Sequence, residues 1–184
     1  MDLDELAFLA TLAAQVPQQG HIVEVGAFYG RSTNAIAQGN PTAKITSIDT
    51  FENVDWTDRY ANQYHGIPVF GRDAFDHFTN SLENVSPIQG FSPDCVRDWV
   101  HPIDMYFEDA IHGNPGLKRN LDFWMGHLKP GGIACGHDYT RRFPDIKTEV
   151  DSRAHRWGCD VTVVGSLWAL RKPCLLYTSP SPRD

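Results

Sequence analysis

No stretch of this chain is apolar for the roughly 20 residues that a bilayer-spanning helix takes. Its four cysteines, Cys95, Cys135, Cys159 and Cys174, form no C-x-x-C pair. A zinc site and a disulfide frame are therefore not expected, and the thiols read as reduced. Positive charge is scarce too: 16 Lys and Arg stand against 23 Asp and Glu, a formal net charge of -7. The pairs Lys118-Arg119 and Arg141-Arg142 read as solvated helix faces. A general nucleic-acid surface needs a basic patch, and none is visible. The opening residues, Met1-Asp2-Leu3-Asp4-Glu5, are acidic and lack the basic start of a signal peptide. These absences together predict a cytoplasmic protein with no membrane or nucleic-acid partner. What the sequence does contain is core: 41% of its 184 residues are hydrophobic and 21% are charged, enough for one domain with a sizeable interior.

That domain is expected over residues 1–173. The end, Cys174 to Asp184, carries Ser-Pro-Ser-Pro and no hydrophobic period. It reads as a disordered, non-native tail. Its residues are also those that a sequencing-library adapter encodes when translated, which fits an assembly artefact in an environmental read.

The remaining chain is organised around Ile22 to Ser32. Ile22-Val23-Glu24-Val25 is a short β-branched run of the kind found in buried parallel strands. Gly26 follows at once, Gly30 four residues later, and Arg31 to Ala37 can run as a helix. Strand, glycine turn and helix make the first half of a nucleotide-binding βαβ unit. A dinucleotide fingerprint places a second glycine where this chain has Phe28, so close approach of a pyrophosphate is blocked. Glu24 at the strand end would repel phosphate but suits a positively charged ligand. S-adenosylmethionine has a sulfonium, an ammonium and no phosphate, and fits both constraints.

Elsewhere the pattern alternates. Leu3 to Leu12 has apolar residues at helical spacing, ended by Pro17 and Gly20. Lys44 to Ile48 is a second strand closed by Asp49, about 20 residues past the glycine turn, where an acid takes ribose hydroxyls. Thr50 to Phe70 is long, irregular and aromatic, either a substrate wall or a surface-packed insertion. A helix is expected over Arg72–Leu82, a third strand over Pro87–Gly90, a loop at Phe91-Ser92 and a short helix over Asp94–Val100. Ile103 to Asp109 is the fourth strand. Leu117, Leu121, Trp124, Met125 and Leu128 mark a helix face. Lys129-Pro130-Gly131-Gly132 turns into a fifth strand, Ile133–Cys135. A helix over Pro144–Arg156 precedes a hairpin round Gly165-Ser166. Alternating strands and helices predict an α/β domain with a parallel sheet.

Glu24-x-Gly26-x-x-x-Gly30-x-Ser32 resembles the cofactor loop of class I S-adenosylmethionine-dependent methyltransferases. Adding Asp49-Thr50-Phe51-Glu52, the run Asp104 to Asp109 with His112, Leu128-Lys129-Pro130-Gly131-Gly132 and His137-Asp138-Tyr139, the chain resembles the macrocin O-methyltransferase and cephalosporin hydroxylase-like group over nearly all of Val23 to Lys172. That resemblance implies a Rossmann-like, doubly wound, seven-stranded, mostly parallel sheet with an antiparallel last strand. It also implies S-adenosylmethionine contacts at Glu24, Gly26, Ala27, Phe28, Tyr29, Gly30, Ser32, Asp49, Thr50, Phe91, Ser92 and Asp109.

Parallel-sheet enzymes bind ligands beyond the carboxyl ends of their strands, so Glu24, Asp49, Ser92, Asp109 and His137-Asp138 should ring one cleft. Methyl transfer to a hydroxyl needs positioning and a base. The resemblance gives that role to His112, with an unperturbed pKa of about 6.5; the alternative is an ordinary surface-loop histidine. Asp109 and Asp138 end adjacent strands and could hold a hard cation such as Mg2+, as related enzymes do. His137 either ligates beside them or only hydrogen-bonds its neighbour, and Asp138 has a helix-capping alternative. Two departures bear on the metal: Ile111 and Asn120 stand where the group usually has Asp. The expected function is O-methyl transfer from S-adenosylmethionine to a small hydroxylated metabolite or sugar, in a chain free to self-associate. The alternatives are a divergent hydroxylase-like enzyme and a non-catalytic cofactor-binding module.

Overall fold

A computed structural model describes residues 1–52 and 71–174. Most of the expected Thr50–Phe70 wall, and the tail from residue 175, lie outside the described residues. Helix α1 (Leu3–Ala14) opens the chain. Asp2 caps it with a reciprocal pair of bonds: the Glu5 N–H donates to the Asp2 carboxylate, and the Asp2 N–H to the Glu5 carboxylate. Strand β1 (His21–Val25), α2 (Arg31–Gly39), β2 (Lys44–Asp49), α3 (Arg72–Thr79) and β3 (Val85–Gln89) follow. Then come β4 (Ile103–Glu108), α4 (Gly116–His127), β5 (Leu128–Gly136), α5 (Pro144–Trp157), β6 (Thr162–Val164) and β7 (Leu167–Arg171).

The seven strands form one sheet in the order β3-β2-β1-β4-β5-β7-β6. Strands β1 to β5 pair in parallel, and β7 runs antiparallel between β5 and β6. This is the Rossmann-like sheet with a reversed last strand. Period-two alternation splits the core. Ile22, Ile45, Met105 and Phe107 face α1 and α2, while Val23, Val25, Ile48 and Tyr106 face the side covered by α4 and α5.

Several boundaries differ from expectation. Strand β3 begins at Val85, because its pairing with β2 starts from Ile45 rather than from the apolar Ile88. Helix α3 stops at Thr79, three residues short of Leu82. The short helix is a single 3-10 turn, Asp94–Val96. The Lys129–Gly132 turn is part of β5, joined through a register shift opposite Ile103 and Met105.

Candidate active site

The ladder carries one residue beyond the strands at four neighbouring ends. The Gly26 N–H donates to Ile48 (2.9 Å), Asp109 to Val25 (2.8 Å), Gly90 to Asp49 (2.9 Å) and His137 to Glu108 (3.0 Å). These bonds bring the expected residues to one sheet edge. Gly26 turns there with φ of 93°, and a Cβ would collide with the carbonyl oxygen of Asp109. The loop spends its amides internally: Phe28 donates to Asp49 Oδ2 (2.9 Å) and Gly30 to the Ala27 carbonyl (2.7 Å). With the Gly26 amide in the ladder, these three N–H groups are not offered to a phosphate, which agrees with the missing dinucleotide glycine.

A cavity of about 560 Å³ lies over this edge, within the range of small-molecule sites. Gly26, Phe28, Tyr29, Asp49, Thr50, Phe91, Ser92, Asp109, His112 and Asp138 line it. Ala27 and Ser32 instead line a second cleft, between α1 and α2, that meets the first at Gly26 and Asp109. Gly30 caps α2 with φ of 81°.

Glu24 is corrected. Alternation aims its side chain under α2, where it is fully buried and absent from the lining of either cleft. Its Oε2 accepts the Thr33 hydroxyl at 2.5 Å and the Ser47 hydroxyl at 2.7 Å. Burial pushes its carboxyl above the ordinary range against those hydroxyls. Glu24 ties the loop's helix to two strands and lines neither cleft. Asp49 does line the cavity, but both its oxygens already accept main-chain N–H groups, from Phe28 and from Phe51 (2.9 Å each). A carboxylate has about four lone-pair sites, so room for ribose hydroxyls remains. The Ser92 hydroxyl accepts the indole N–H of Trp124 at 2.9 Å, which fastens the β3 loop to α4.

The acids and histidines cluster at the ends of β4 and β5. His112 Nε2 lies 2.7 Å from Asp138 Oδ2, and its ring packs on Phe143 with centroids 4.7 Å apart. The Asp138 hydrogen bond raises the His112 pKa above its ordinary value, against half-burial. Burial opposes ionisation of Asp138, but bonds from His112 and His137 hold its carboxyl below the usual range. Burial, with Asp138 beside it, lifts Asp109 to about 7. His137 Nδ1 is 3.4 Å from Asp138 Oδ1 and 3.7 Å from Asp109 Oδ1, and donor atoms of the three residues lie within 4.8 Å of one another. Donors sharing one cation at about 2.1–2.3 Å stand roughly 3–4 Å apart, so the set fits a divalent ion.

Two participants were not legible in the sequence, and a third was marked there only as a departure from the family pattern. Glu5 of α1 reaches His137 Nε2 at 3.3 Å, and its other oxygen accepts the Ser166 N–H (2.7 Å) and hydroxyl (2.8 Å). Burial works against the Glu5 charge, yet the Ser166 donors pull its pKa down to about 2. The spacing Asp2-x-x-Glu5 signals the capping box but not a contact 132 residues away. Ser166, in the β6–β7 turn, is the second. Asn120 is the third: it is fully buried, lines the main cavity, and its amide has no hydrogen-bond partner among the described residues.

The fold and this edge define a Rossmann-like S-adenosylmethionine-dependent methyltransferase. The sequence model for the methyltransferase domain matches residues 23–139, and the chain belongs to that family. Comparison with curated proteins gives no match. Among solved structures, the O-methyltransferase NovP superposes with a TM-score of 0.68 at 16% identity, covering 93% of this chain and 80% of that one. Precorrin-6y C5,15-methyltransferase from Geobacter metallireducens GS-15 gives 0.60 at 17% identity, covering 86% and 72%. The MycE methyltransferase of mycinamycin biosynthesis, in complex with Mg, SAH and mycinamycin VI, gives 0.56 at 16% identity, and the match spans 85% of this chain but 45% of MycE. At such identities the likeness concerns the fold.

Proposed function

We propose that this methyltransferase acts on oxygen, in the manner of the macrocin O-methyltransferase group, with a small hydroxylated metabolite or sugar as acceptor. The observation that carries the reading is the His112–Asp138 pair at the wall of the cavity that also holds Gly26 and Asp49. Bound S-adenosylmethionine supplies an electrophilic methyl on a positive sulfur. Asp49 would take the ribose hydroxyls; it lines the same cavity as Phe91 and Ser92. With its Nε2 proton directed at Asp138, His112 keeps Nδ1 as the nitrogen that accepts the acceptor's hydroxyl proton. The oxygen then bonds to the methyl carbon, the carbon–sulfur bond breaks, and its electron pair stays on the thioether product. Asp138 stabilises the imidazolium left behind.

Asp109, Asp138 and His137 would hold a divalent cation. Such an ion would polarise the acceptor hydroxyl and lower its pKa. The Mg and SAH of the MycE complex support a metal in this fold.

Incubation with S-adenosylmethionine and a panel of phenols and sugars should yield S-adenosylhomocysteine. His112→Ala should lower turnover by about 100- to 10,000-fold, the usual range for a general base, with cofactor affinity retained. Full activity in His112→Ala would leave a positioning enzyme with an already acidic acceptor. Chelation should abolish turnover while sparing most cofactor binding; full activity in chelator would reject the metal and leave His112 alone.

A further inference from the structure

We propose that His137 gives its Nδ1 to the cation held by Asp109 and Asp138, that Glu5 is the positioning residue that turns it there, and that the centre therefore takes a borderline transition cation such as Mn2+ or Co2+ ahead of Mg2+. The inference rests on the metal reading above and adds the identity of the ion and its outer support. The outer support starts at α1, not at the cleft. Glu5 is buried and receives donors from several directions: the Asp2 N–H at 2.7 Å, the Ser166 N–H at 2.7 Å and the Ser166 hydroxyl at 2.8 Å. A carboxyl surrounded by donors is an acceptor, so the nitrogen it faces must carry the hydrogen. That nitrogen is His137 Nε2, 3.3 Å from Glu5 Oε2 and 2.8 Å from the Ser166 hydroxyl.

Fixing the hydrogen on Nε2 leaves Nδ1 of the neutral ring as a lone pair. Nδ1 faces Asp138 Oδ1 at 3.4 Å, a long hydrogen bond when that nitrogen is protonated, and Asp109 Oδ1 at 3.7 Å, beyond one. When the ring is neutral and Asp109 is ionised, three acceptor atoms converge there with no hydrogen among them, and a cation that displaces the competing protons satisfies all three. A carboxylate, a histidine and a metal in line is the usual outer-shell arrangement of histidine ligands. Mg2+ prefers oxygen and sheds water reluctantly, whereas imidazole suits later divalent ions. A proton on Nδ1 is the competitor for the same place, and 14N coupling to a bound Mn2+ separates the two.

The full-length protein is titrated with Mg2+, Mn2+ and Co2+ by calorimetry, and the Mn2+ form is read for 14N coupling by pulsed EPR. Mn2+ and Co2+ should bind more tightly than Mg2+, and the Mn2+ signal should show an imidazole nitrogen. His137→Asp should abolish the 14N coupling and shrink the preference over Mg2+. Glu5→Gln should weaken Mn2+ by about 10- to 100-fold, the size expected of an outer-shell partner, with S-adenosylmethionine affinity unchanged. Ser166→Ala, which leaves the capping box intact, should weaken Mn2+ in the same direction if Glu5→Gln does not fold. Mn2+ binding without 14N coupling, or the same preference in His137→Asp, would overturn the proposal. Failure of every cation to bind while S-adenosylmethionine still binds would overturn it and the metal reading together. Failure of S-adenosylmethionine alone, with 14N coupling present, would strike the proposed function and leave the nitrogen ligand standing.

Discussion

Asp49 carries two duties that a single substitution confounds. Its oxygens hold the Phe28 and Phe51 amides, both at residues with positive φ (47° and 50°), so it staples the glycine loop to the end of β2. In the proposed complex it also takes the ribose. Asp49→Ala should weaken S-adenosylmethionine by on the order of 1–3 kcal/mol in calorimetry, because buried partners lose an acceptor. Asp49→Asn keeps one carbonyl acceptor and should fall between the two. An Ala variant with unchanged affinity would remove Asp49 from the site. Gly26 is stricter. Its φ of 93° and the carbonyl of Asp109 leave no space for a Cβ, so Gly26→Ala should lower unfolding free energy by about 1–3 kcal/mol in urea titrations and loosen the cleft with it.

Among the elements, β1 combines a legible core with an unreadable end. Its Ile22-Val23-Glu24-Val25 run announced a buried strand, and alternation could have placed Glu24 opposite Val23 and Val25, under α2. What hid this was the expectation that an acid beside a glycine loop must face the ligand. Strand β4 was as plain, with four apolar or aromatic residues in six, and β2 was readable from Ile45 and Ile48. Strand β3 was blurred because Ser86 and Gln89 are exposed and Pro87 stands between its two apolar residues, Val85 and Ile88. The start of β5 was hidden by Pro130 and two glycines, which read as a turn and instead sit beside a register shift. Loops at strand ends were legible through the general rule for parallel sheets, so Asp49, Asp109, His112 and Asp138 reached one cavity. Glu5 and Ser166 were not, because each acts through tertiary contact far along the chain. His21, the first residue of β1, gives this element a pH signature. Burial, then the charges of Lys44 and His101, lower its pKa from 6.5 to about 4, while Nε2 lies 2.9 Å from the Thr46 hydroxyl. The folded state thus binds a proton less readily than the unfolded chain. Its contribution is complete above about pH 6.5 and is lost as pH falls toward 4, on the order of 2 kcal/mol for a half-buried group. Melting curves from pH 7 to 4.5 should therefore fall less steeply in His21→Gln than in the parent, and parallel curves would assign the acid loss elsewhere.

Across the whole molecule, the sheet separates two cores of different character. The α1–α2 side is mostly aliphatic, whereas the α4–α5 side holds Trp124, Trp168 and Tyr106, all almost wholly buried. The two tryptophans form a matched pair. Trp124 is 0% exposed and its indole N–H donates to Ser92 at the cleft; Trp168 is 1% exposed and its N–H has no partner among the described residues. Replacing either with Phe removes a similar volume and leaves a similar cavity, so the cavity cost largely cancels in the comparison. What differs is the hydrogen bond. Trp124→Phe loses a made bond, while Trp168→Phe removes a donor buried without a partner, a group that is costly to leave unmet. Trp124→Phe should therefore be the more destabilising by about 1–2 kcal/mol in denaturant unfolding. It should also weaken S-adenosylmethionine, because Ser92 is then free to move with the β3 loop, whereas Trp168→Phe should affect the cofactor less. Equal stability losses, or a larger cofactor defect in Trp168→Phe, would show that the α4–α5 core supports the cleft through packing and not through the Trp124–Ser92 bond.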